Sequence, residues 1–272
     1  MLVTLEPCDH HGRTSPCSQA IIDAGIARVV VGVTDPDPRV AGRGIARLRE
    51  AGIEVSIDVA VDAVVANDPG YFHHRATGRP LVTLKMASTI DGQAAALDGT
   101  SQWITGEEAR ADAHLLRGEH DAVLVGAGTV IADDPLLSVR SEDYAGPQPI
   151  PVVLVGDREI SAESAVMGRH PIIYGQGEPG HVSVDDVVKD LGSRGIVSVM
   201  VEGGPQIARS FIDAGAVDQF VWYVAGRVAA GTGMPAISGS FETIGDSVDI
   251  EIKNATVIGS DVRIDARPGS AS

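Results

Sequence analysis

Short runs of Val and Ile recur along the chain, separated by glycine-punctuated segments long enough to form helices. Such runs stand at 29–33, 81–84, 122–125, 152–155 and 197–201. Short continuous apolar runs are typical of buried strands, and the longer segments between them favour helices. The alternation therefore predicts an α/β protein.

Three local signals mark where helices should begin. Thr105 with Glu108, and Ser183 with Asp186, have the spacing of a capping box, in which the two side chains satisfy backbone N–H groups at a helix start. Pro205 suits a first helical turn, because the N–H that it lacks has no helical partner there.

The stretch 58–80 interrupts the alternation. It follows a strand-like run at 53–57 and carries Asn-Asp-Pro-Gly at 67–70, without strand alternation of its own. Pro and Gly clusters punctuate structure, so we expect a boundary here between a first domain at 1–75 and a second at 80–268.

The charge balance limits the partners. The chain has 21 Lys and Arg against 37 Asp and Glu, a net charge of −16. Binding to nucleic acid or an anionic membrane needs clustered basic residues, so we expect neither, and a phosphorylated ligand must meet a local basic pocket. The chain has neither an apolar run of about 18 residues nor a signal peptide, so a cytoplasmic protein is expected.

Two cysteines form the first chemical constellation. Cys8 lies in a polar loop and Cys17 opens a helix-like run at 18–24. Thiolates at a helix start suit zinc, but a catalytic zinc needs a third protein ligand. None of the eight histidines begins a His-x-Glu element, although His10 or His11 could add a ligand. Two plain thiols are the alternative.

The neighbouring residues resemble a known motif. Residues 7–17 read PCDHHGRTSPC and residues 35–44 read DPDPRVAGRG, which resembles the second half of the zinc motif in the bifunctional riboflavin-biosynthesis deaminase/reductase family. The resemblance implies a partial cytidine-deaminase-like α/β/α domain with Cys8 and Cys17 as two of three zinc ligands. The family's His ligand and catalytic Glu would lie upstream of Met1. We therefore expect either a relic that binds zinc weakly and does not deaminate, or a bifunctional enzyme whose first part precedes this sequence.

The second half resembles the reductase domain of the same family, with its motifs in order. This implies a dihydrofolate-reductase-like fold and NADPH-dependent reduction of the ribosyl chain of 5-amino-6-(5-phosphoribosylamino)uracil. It also implies a homodimer that pairs through its sheets. The motifs are LKMAS at 84–88, DG at 91–92, SQWIT at 101–105, GAGT at 126–129, ADDP at 132–135, Arg140 and VEGGP at 201–205.

The cofactor residues follow from a glycine turn and from the resemblance. Gly203 and Gly204 stand between a strand and a helix start at Pro205, where backbone N–H groups can approach a pyrophosphate. A glycine-rich turn without a ligand is the alternative. Arg158 is the evident partner for a 2′-phosphate. The resemblance adds five cofactor contacts: Ala87, Trp103, Thr129, Asp133 and Pro205.

Cations matched to the family motif supply the substrate pocket. Lys85, Arg117 and Arg140 would give an acidic protein the positive site that a phosphorylated pyrimidine needs. We expect Glu202 to point away from the cofactor phosphates, toward neutral donors of the substrate. The resemblance adds Ser101 and Leu137 as substrate contacts, and no general acid is assigned.

The sequence leaves two other functional classes open. A pterin- or folate-type reductase on the same fold would turn over other substrates with NADPH. A binding module would hold nucleotide without turnover. Substrate tests separate all three readings.

Overall fold

The computed structural model describes residues 1–12, 14–141, 143–175 and 182–269. The chain divides into unit 1, Met1–Gly78, and unit 2, Arg79–Ser272. The division falls inside the segment 58–80, which is helical rather than irregular. Asp68 caps the second of two helices there by accepting from the Tyr71 N–H at 3.1 Å. The Asn-Asp-Pro-Gly cluster thus begins a helix, because Asp and Pro favour a helix start as much as a turn.

Unit 1 is a small parallel sheet with helices. The sheet has the order β1-β2-β3, and Ile21, Val29, Val31 and Leu48 form its core. Its strands are β1 (Leu2–Leu5), β2 (Arg28–Val33) and β3 (Glu54–Ser56), and its helices are α1 (Cys17–Asp23), α2 (Arg43–Glu50), α3 (Val61–Asn67) and α4 (Pro69–Thr77).

Unit 2 contains the larger sheet. The strands of unit 2 are β4 (Leu81–Thr89), β5 (Gln93–Ala95), β6 (Ala122–Gly126), β7 (Ile150–Leu154), β8 (Ile172–Tyr174), β9 (Ser198–Val201), β10 (Gln219–Ala225), β11 (Met234–Pro235), β12 (Ile250–Ile258) and β13 (Asp261–Pro268). Of these, β5 and β11 form a separate two-stranded sheet. Its α-helices are α5 (Glu107–Gly118), α6 (Ala127–Asp133), α7 (Val184–Ser193) and α8 (Pro205–Asp213).

The main sheet has the order β12-β13-β10-β4-β9-β6-β7-β8. The six strands from β10 to β8 pair in parallel, and β13 and β12 extend the sheet antiparallel. Separate apolar clusters line the sheet, one around Leu84 and Phe211, the other around Val123 and Tyr223. The carboxyl ends of β4, β9 and β6 therefore meet at one edge, where ligands of open α/β sheets bind.

Two of the three predicted helix starts are confirmed. The Ser183 hydroxyl accepts from the Asp186 N–H at 3.4 Å, and Pro205 occupies the first turn of α8. The capping box at Thr105 was wrong, because the N-cap of α5 is Gly106. The Gly106 N–H donates instead to a carboxylate distant in sequence, that of Asp261, at 2.6 Å.

Candidate active site

Strand register brings Lys85 and Glu202 to the same edge of the main sheet. Val201 pairs with Leu84 on one side and with Leu124 on the other. Lys85 and Glu202 are the next residues along their strands, and the Glu202 N–H donates to the Leu124 carbonyl at 2.9 Å. The carboxylate thus stands at the carboxyl end of β9, in the middle of the sheet.

Arg117 from α5 forms a two-pronged ion pair with Glu202. Its Nε lies 2.6 Å from Oε1 and its Nη2 lies 2.8 Å from Oε2, while Nη1 donates to the Ser138 carbonyl at 3.1 Å. The side chains are only 16% and 11% exposed. The carboxylate of Glu202 thus has a charged partner that the sequence did not indicate, because a buried carboxylate takes the strongest charged partner within reach. Its contact with neutral donors of the substrate stays a prediction.

Burial governs the protonation of this cluster. Burial alone would raise the pKa of Glu202, but the hydrogen bonds and charge of Arg117 outweigh it and the pKa falls, so the carboxylate is ionised. Burial lowers the pKa of the Lys85 ammonium, against the opposing pull of Glu202. The ammonium also lies 5.6 Å from the centre of the Tyr223 ring, a distance suited to a cation–π contact. Lys85 is thus a buried cation with a weakened hold on its proton.

The other predicted substrate residues have different surroundings. The Arg140 side chain is exposed and Ser101 is half-buried. Leu137 is 2% exposed and packs in the core, and its carbonyl accepts from Arg169 at 2.7 Å. The side chain of Leu137 is therefore closed to a ligand, and only its backbone could make the predicted contact.

The two glycines after β9 differ in what surrounds them. A Cβ on Gly203 would lie 2.3 Å from the Cβ of Ile207, whereas a Cβ on Gly204 would meet nothing within 4 Å. Gly203 is therefore required for packing the first turn of α8 against the strand end. Gly204 presents its backbone to open space, as a site for a close phosphate approach requires.

Several of the predicted cofactor residues approach one another. Trp103 is 58% exposed, and the Arg110 guanidinium lies 4.5 Å from the centre of its ring. Gln102, next to Trp103, donates to Asp133 Oδ1 at 3.4 Å. Thr129 lies one turn before Asp133 on α6. The structure thus places Trp103, Thr129 and Asp133 in one region.

Ala87 and Arg158 are the remaining residues that were predicted to contact the cofactor. Ala87 lies on β4 opposite Tyr223 and packs against the core. A Cβ on Gly128 would lie 2.9 Å from an Arg158 guanidinium nitrogen, so this cation covers the first turn of α6.

In unit 1, the two thiols contact each other. A hydrogen bond with Cys8, followed by burial, raises the pKa of Cys17. His10 lines the same cavity of about 730 Å³. Among the residues that the structure describes, no three His, Cys, Asp or Glu side chains gather as a metal site. Two soft ligands without a third do not fit a catalytic zinc.

Glu6, which directly precedes the motif at 7–17, and Gly44, the last residue of the motif at 35–44, support the fold of unit 1. The buried Glu6 carboxylate accepts from the N–H groups of Gly42 at 2.9 Å and Ile45 at 3.2 Å, at the start of α2. A Cβ on Gly44 would lie 1.6 Å from the Pro7 carbonyl. The glycine therefore allows α2 to pack against the loop that precedes Cys8.

The family model described as the RibD C-terminal domain matches residues 80–264. The chain belongs to the RibD family. The riboflavin biosynthesis protein RibD of Bacillus amyloliquefaciens is 38% identical over 98% of this chain and 79% of its own length. RibD of Mycobacterium tuberculosis is 43% identical over 83% of this chain and 65% of its length.

Similar solved structures support the same family assignment. One form of Acinetobacter baumannii RibD superposes with a TM-score of 0.91 at 30% identity, covering 98% of this chain and 80% of the other. A deaminase/reductase of Thermotoga maritima gives 0.87 at 33% identity, covering 98% and 79%. The predicted fold class, a deaminase-like part followed by a dihydrofolate-reductase-like domain, is confirmed, as is membership of the RibD family of riboflavin-biosynthesis enzymes.

Sequence reasoning missed several partners at the RibD-type site. The Tyr223 hydroxyl and Arg263 Nη1 both donate to Asp112, at 2.6 and 2.9 Å, and His114 lies between Arg117 and Arg140. The helical spacing of 110, 114 and 117 was the available signal, but it does not show which residues face that side of the helix.

Within the described ranges, no helix is long and apolar enough to cross a membrane.

Proposed function

We propose that unit 2 reduces the ribosyl chain of 5-amino-6-(5-phosphoribosylamino)uracil with NADPH. One observation carries the proposal: Glu202, which is paired with Arg117 and stands beside Lys85 at the carboxyl end of the sheet, is followed two residues later by the open backbone of Gly204. A polar cluster beside a phosphate-sized backbone site is what a reductase of a polar sugar requires.

The chain's own residues bind, orient and move a proton. NADPH supplies the hydride when it is bound. The backbone at Gly204 receives the cofactor pyrophosphate, Trp103 and Asp133 line the rim, and Arg158 selects the 2′-phosphate. Lys85 delivers the proton that the reduced sugar needs, because burial lowers its pKa toward the range in which an ammonium acts as a general acid.

Loss of NADPH absorbance tests the proposal directly. We expect oxidation that depends on the phosphoribosylamino substrate, with a ribitylamino product identified by mass spectrometry. Turnover of a pterin or folate instead would assign the alternative reductase. Tight NADPH binding with no turnover of any of these would make unit 2 a binding module.

We further propose that the thiol pair of unit 1 supports no deamination within this sequence. Cys8 and Cys17 are two soft ligands, and the motif at 7–17 contains no His-x-Glu element, whose Glu moves the protons in zinc deaminases. Ammonia release from the diamino substrate, with zinc that survives dialysis, would contradict this proposal.

A homodimer through the sheet edge is the proposed assembly. Strand β12 is the outer strand of the main sheet, and its apolar residues Ile252 and Val257 are 60% and 75% exposed. An exposed apolar edge strand favours pairing with another strand. Light scattering should give twice the 28.2 kDa chain mass, and Ile252→Lys should shift it toward the monomer. Cytoplasmic location stays a prediction.

A further inference from the structure

The two substrate arginines of unit 2 are not equally available to a ligand. Arg117 gives Nε and Nη2 to Glu202 and Nη1 to the Ser138 carbonyl. Its charge is balanced within the cluster. Arg140 is exposed, and among the described residues no carboxylate pairs with it. A phosphate dianion entering this region therefore meets Arg140 as its unneutralised guanidinium.

His114 contacts both arginines. Its Nδ1 lies 3.2 Å from the Ser138 carbonyl and 3.4 Å from Arg117 Nη1, and its Nε2 lies 3.4 Å from Arg140 Nη2. The Arg140 N–H also lies 3.4 Å from Nδ1. The imidazole thus connects the end of α5 to the 138–140 segment.

The two ring nitrogens of His114 have different partners. Nε2 faces only the Arg140 guanidinium, which is a donor, whereas Nδ1 faces the Ser138 carbonyl at 3.2 Å and two donors, Arg117 Nη1 and the Arg140 backbone N–H, at 3.4 Å. A neutral ring that accepts from Arg140 at Nε2 carries its hydrogen on Nδ1 and donates to the Ser138 carbonyl. Burial lowers the pKa of His114, and the charges of Arg117 and Arg140 lower it further. The ring is therefore neutral at pH 7, with Nε2 free of hydrogen.

We propose that His114 is a positioning residue that holds the Arg140 guanidinium in place for the substrate's phosphate. The Ser138 carbonyl orients the ring, and the ring's Nε2 accepts from Arg140. Long exposed arginine side chains lose much rotamer freedom when they bind an anion, and a preformed hydrogen bond removes part of that cost. This assignment rests on the proposed reductase function for the identity of the phosphorylated substrate.

Kinetics of three variants test the assignment. His114→Leu should raise KM for the phosphorylated substrate about tenfold, with little change in kcat and little effect on the dephosphorylated riboside. His114→Gln should restore most of the affinity, because an amide can accept from Arg140 and donate to Ser138. Arg140→Ala should weaken binding of the phosphorylated substrate at least as much as His114→Leu does, because it removes the phosphate contact itself. As a control, Arg194→Ala removes an exposed charge just after α7 and should leave KM and kcat for both substrates unchanged.

An equal loss on both substrates, or His114→Gln no better than His114→Leu, would overturn the proposal. Two measurements do not require turnover. Nitrogen-15 NMR of the unliganded protein should show the His114 hydrogen on Nδ1, and a hydrogen on Nε2 would contradict the geometry. Titration with ribose 5-phosphate, followed at the Arg140 Nε–H, should show about tenfold weaker binding in His114→Leu. If the wild type binds this probe but reduces no pyrimidine, the function fails while the positioning role stands.

Discussion

The two units use their motif residues in different ways. In unit 2, Glu202 and Arg117 are buried against each other at the carboxyl end of the sheet, beside a glycine with open space. In unit 1, Glu6 and Gly44 hold α2 to the loop before Cys8. The Cys8 and Cys17 thiols form a hydrogen bond with each other. Residues in or beside a family motif can therefore serve the fold alone. The side chains around them show whether they also form a catalytic or binding site.

The largest expected effect comes from breaking the buried ion pair of unit 2. Arg117→Met leaves the Glu202 carboxylate buried without its partner, which typically costs about 3 to 5 kcal/mol. Tryptophan fluorescence during urea unfolding reports this cost specifically, because both tryptophans, Trp103 and Trp222, lie in unit 2.

The matched control is Arg194→Met. Arg194 lies just after α7, and its ion pair with Asp190 is exposed. Exposed pairs contribute about 1 kcal/mol or less. If the two variants lose the same stability, Arg117 and Glu202 do not form the buried pair described above.

The second effect separates packing from cofactor binding at the glycine turn. Gly203→Ala forces a Cβ against Ile207 and should destabilise unit 2 by about 1 to 3 kcal/mol. Gly204→Val enters open space and should cost about 1 kcal/mol or less, yet raise the NADPH KM roughly tenfold. Unfolding and NADPH kinetics on both variants check this, and an unchanged KM in Gly204→Val would move the cofactor elsewhere.

A smaller effect is expected on the stability of unit 1 at acidic pH. Hydrogen bonds from Arg39 lower the pKa of Asp37 from 3.8 to about 2. A carboxyl whose pKa is lowered by folding stabilises the fold above its unfolded pKa, and this contribution disappears as pH falls through the folded value. Stability of unit 1 should therefore fall between pH 4 and pH 2.

Hydrogen exchange of the β2 amides measures this loss. Asp37→Asn removes the titrating group, so the wild type and the variant should converge as the pH falls to about 2. A constant difference between them across this range would show that Asp37 makes no pH-dependent contribution.

The smallest effect is expected from the thiols. Cys8→Ala with Cys17→Ala should change reductase kcat/KM by less than about twofold, since the proposed reductase residues all lie in unit 2. Zinc analysis after dialysis should find less than one equivalent in the wild type, because two thiolates hold zinc less firmly than a complete site. A large loss of reduction in the double variant would couple the two units.

The sequence predicted the strands and the glycine turn because both depend on local patterns. The runs at 122–125 and 197–201 became β6 and β9, shifted at their ends by a residue. Residue spacing could not show that Asp261 would receive the Gly106 N–H and displace the predicted Thr105 cap. The same limit applied to Glu202, whose partner is 85 residues away in the chain.

The roles of Leu137 and His114 show the same limit at the site. A motif places Leu137 among substrate contacts, but burial closes its side chain to a ligand. Helical spacing places His114 near Arg117, but only the fold brings in Arg140 and the Ser138 carbonyl. Long-range partners decide chemistry that local spacing cannot.

Hydride transfer from labelled cofactor tests the central claim most directly. The full chain is incubated with NADPH carrying two deuterium atoms at C4 of the nicotinamide, one on each face, and with 5-amino-6-(5-phosphoribosylamino)uracil. The predicted result is a ribitylamino product with one deuterium in the sugar chain, formed at the same rate by the Cys8→Ala/Cys17→Ala variant and about tenfold more slowly by Gly204→Val when NADPH is below its KM. A product without deuterium, or a rate of label transfer at low NADPH that Gly204→Val leaves unchanged, would contradict the account.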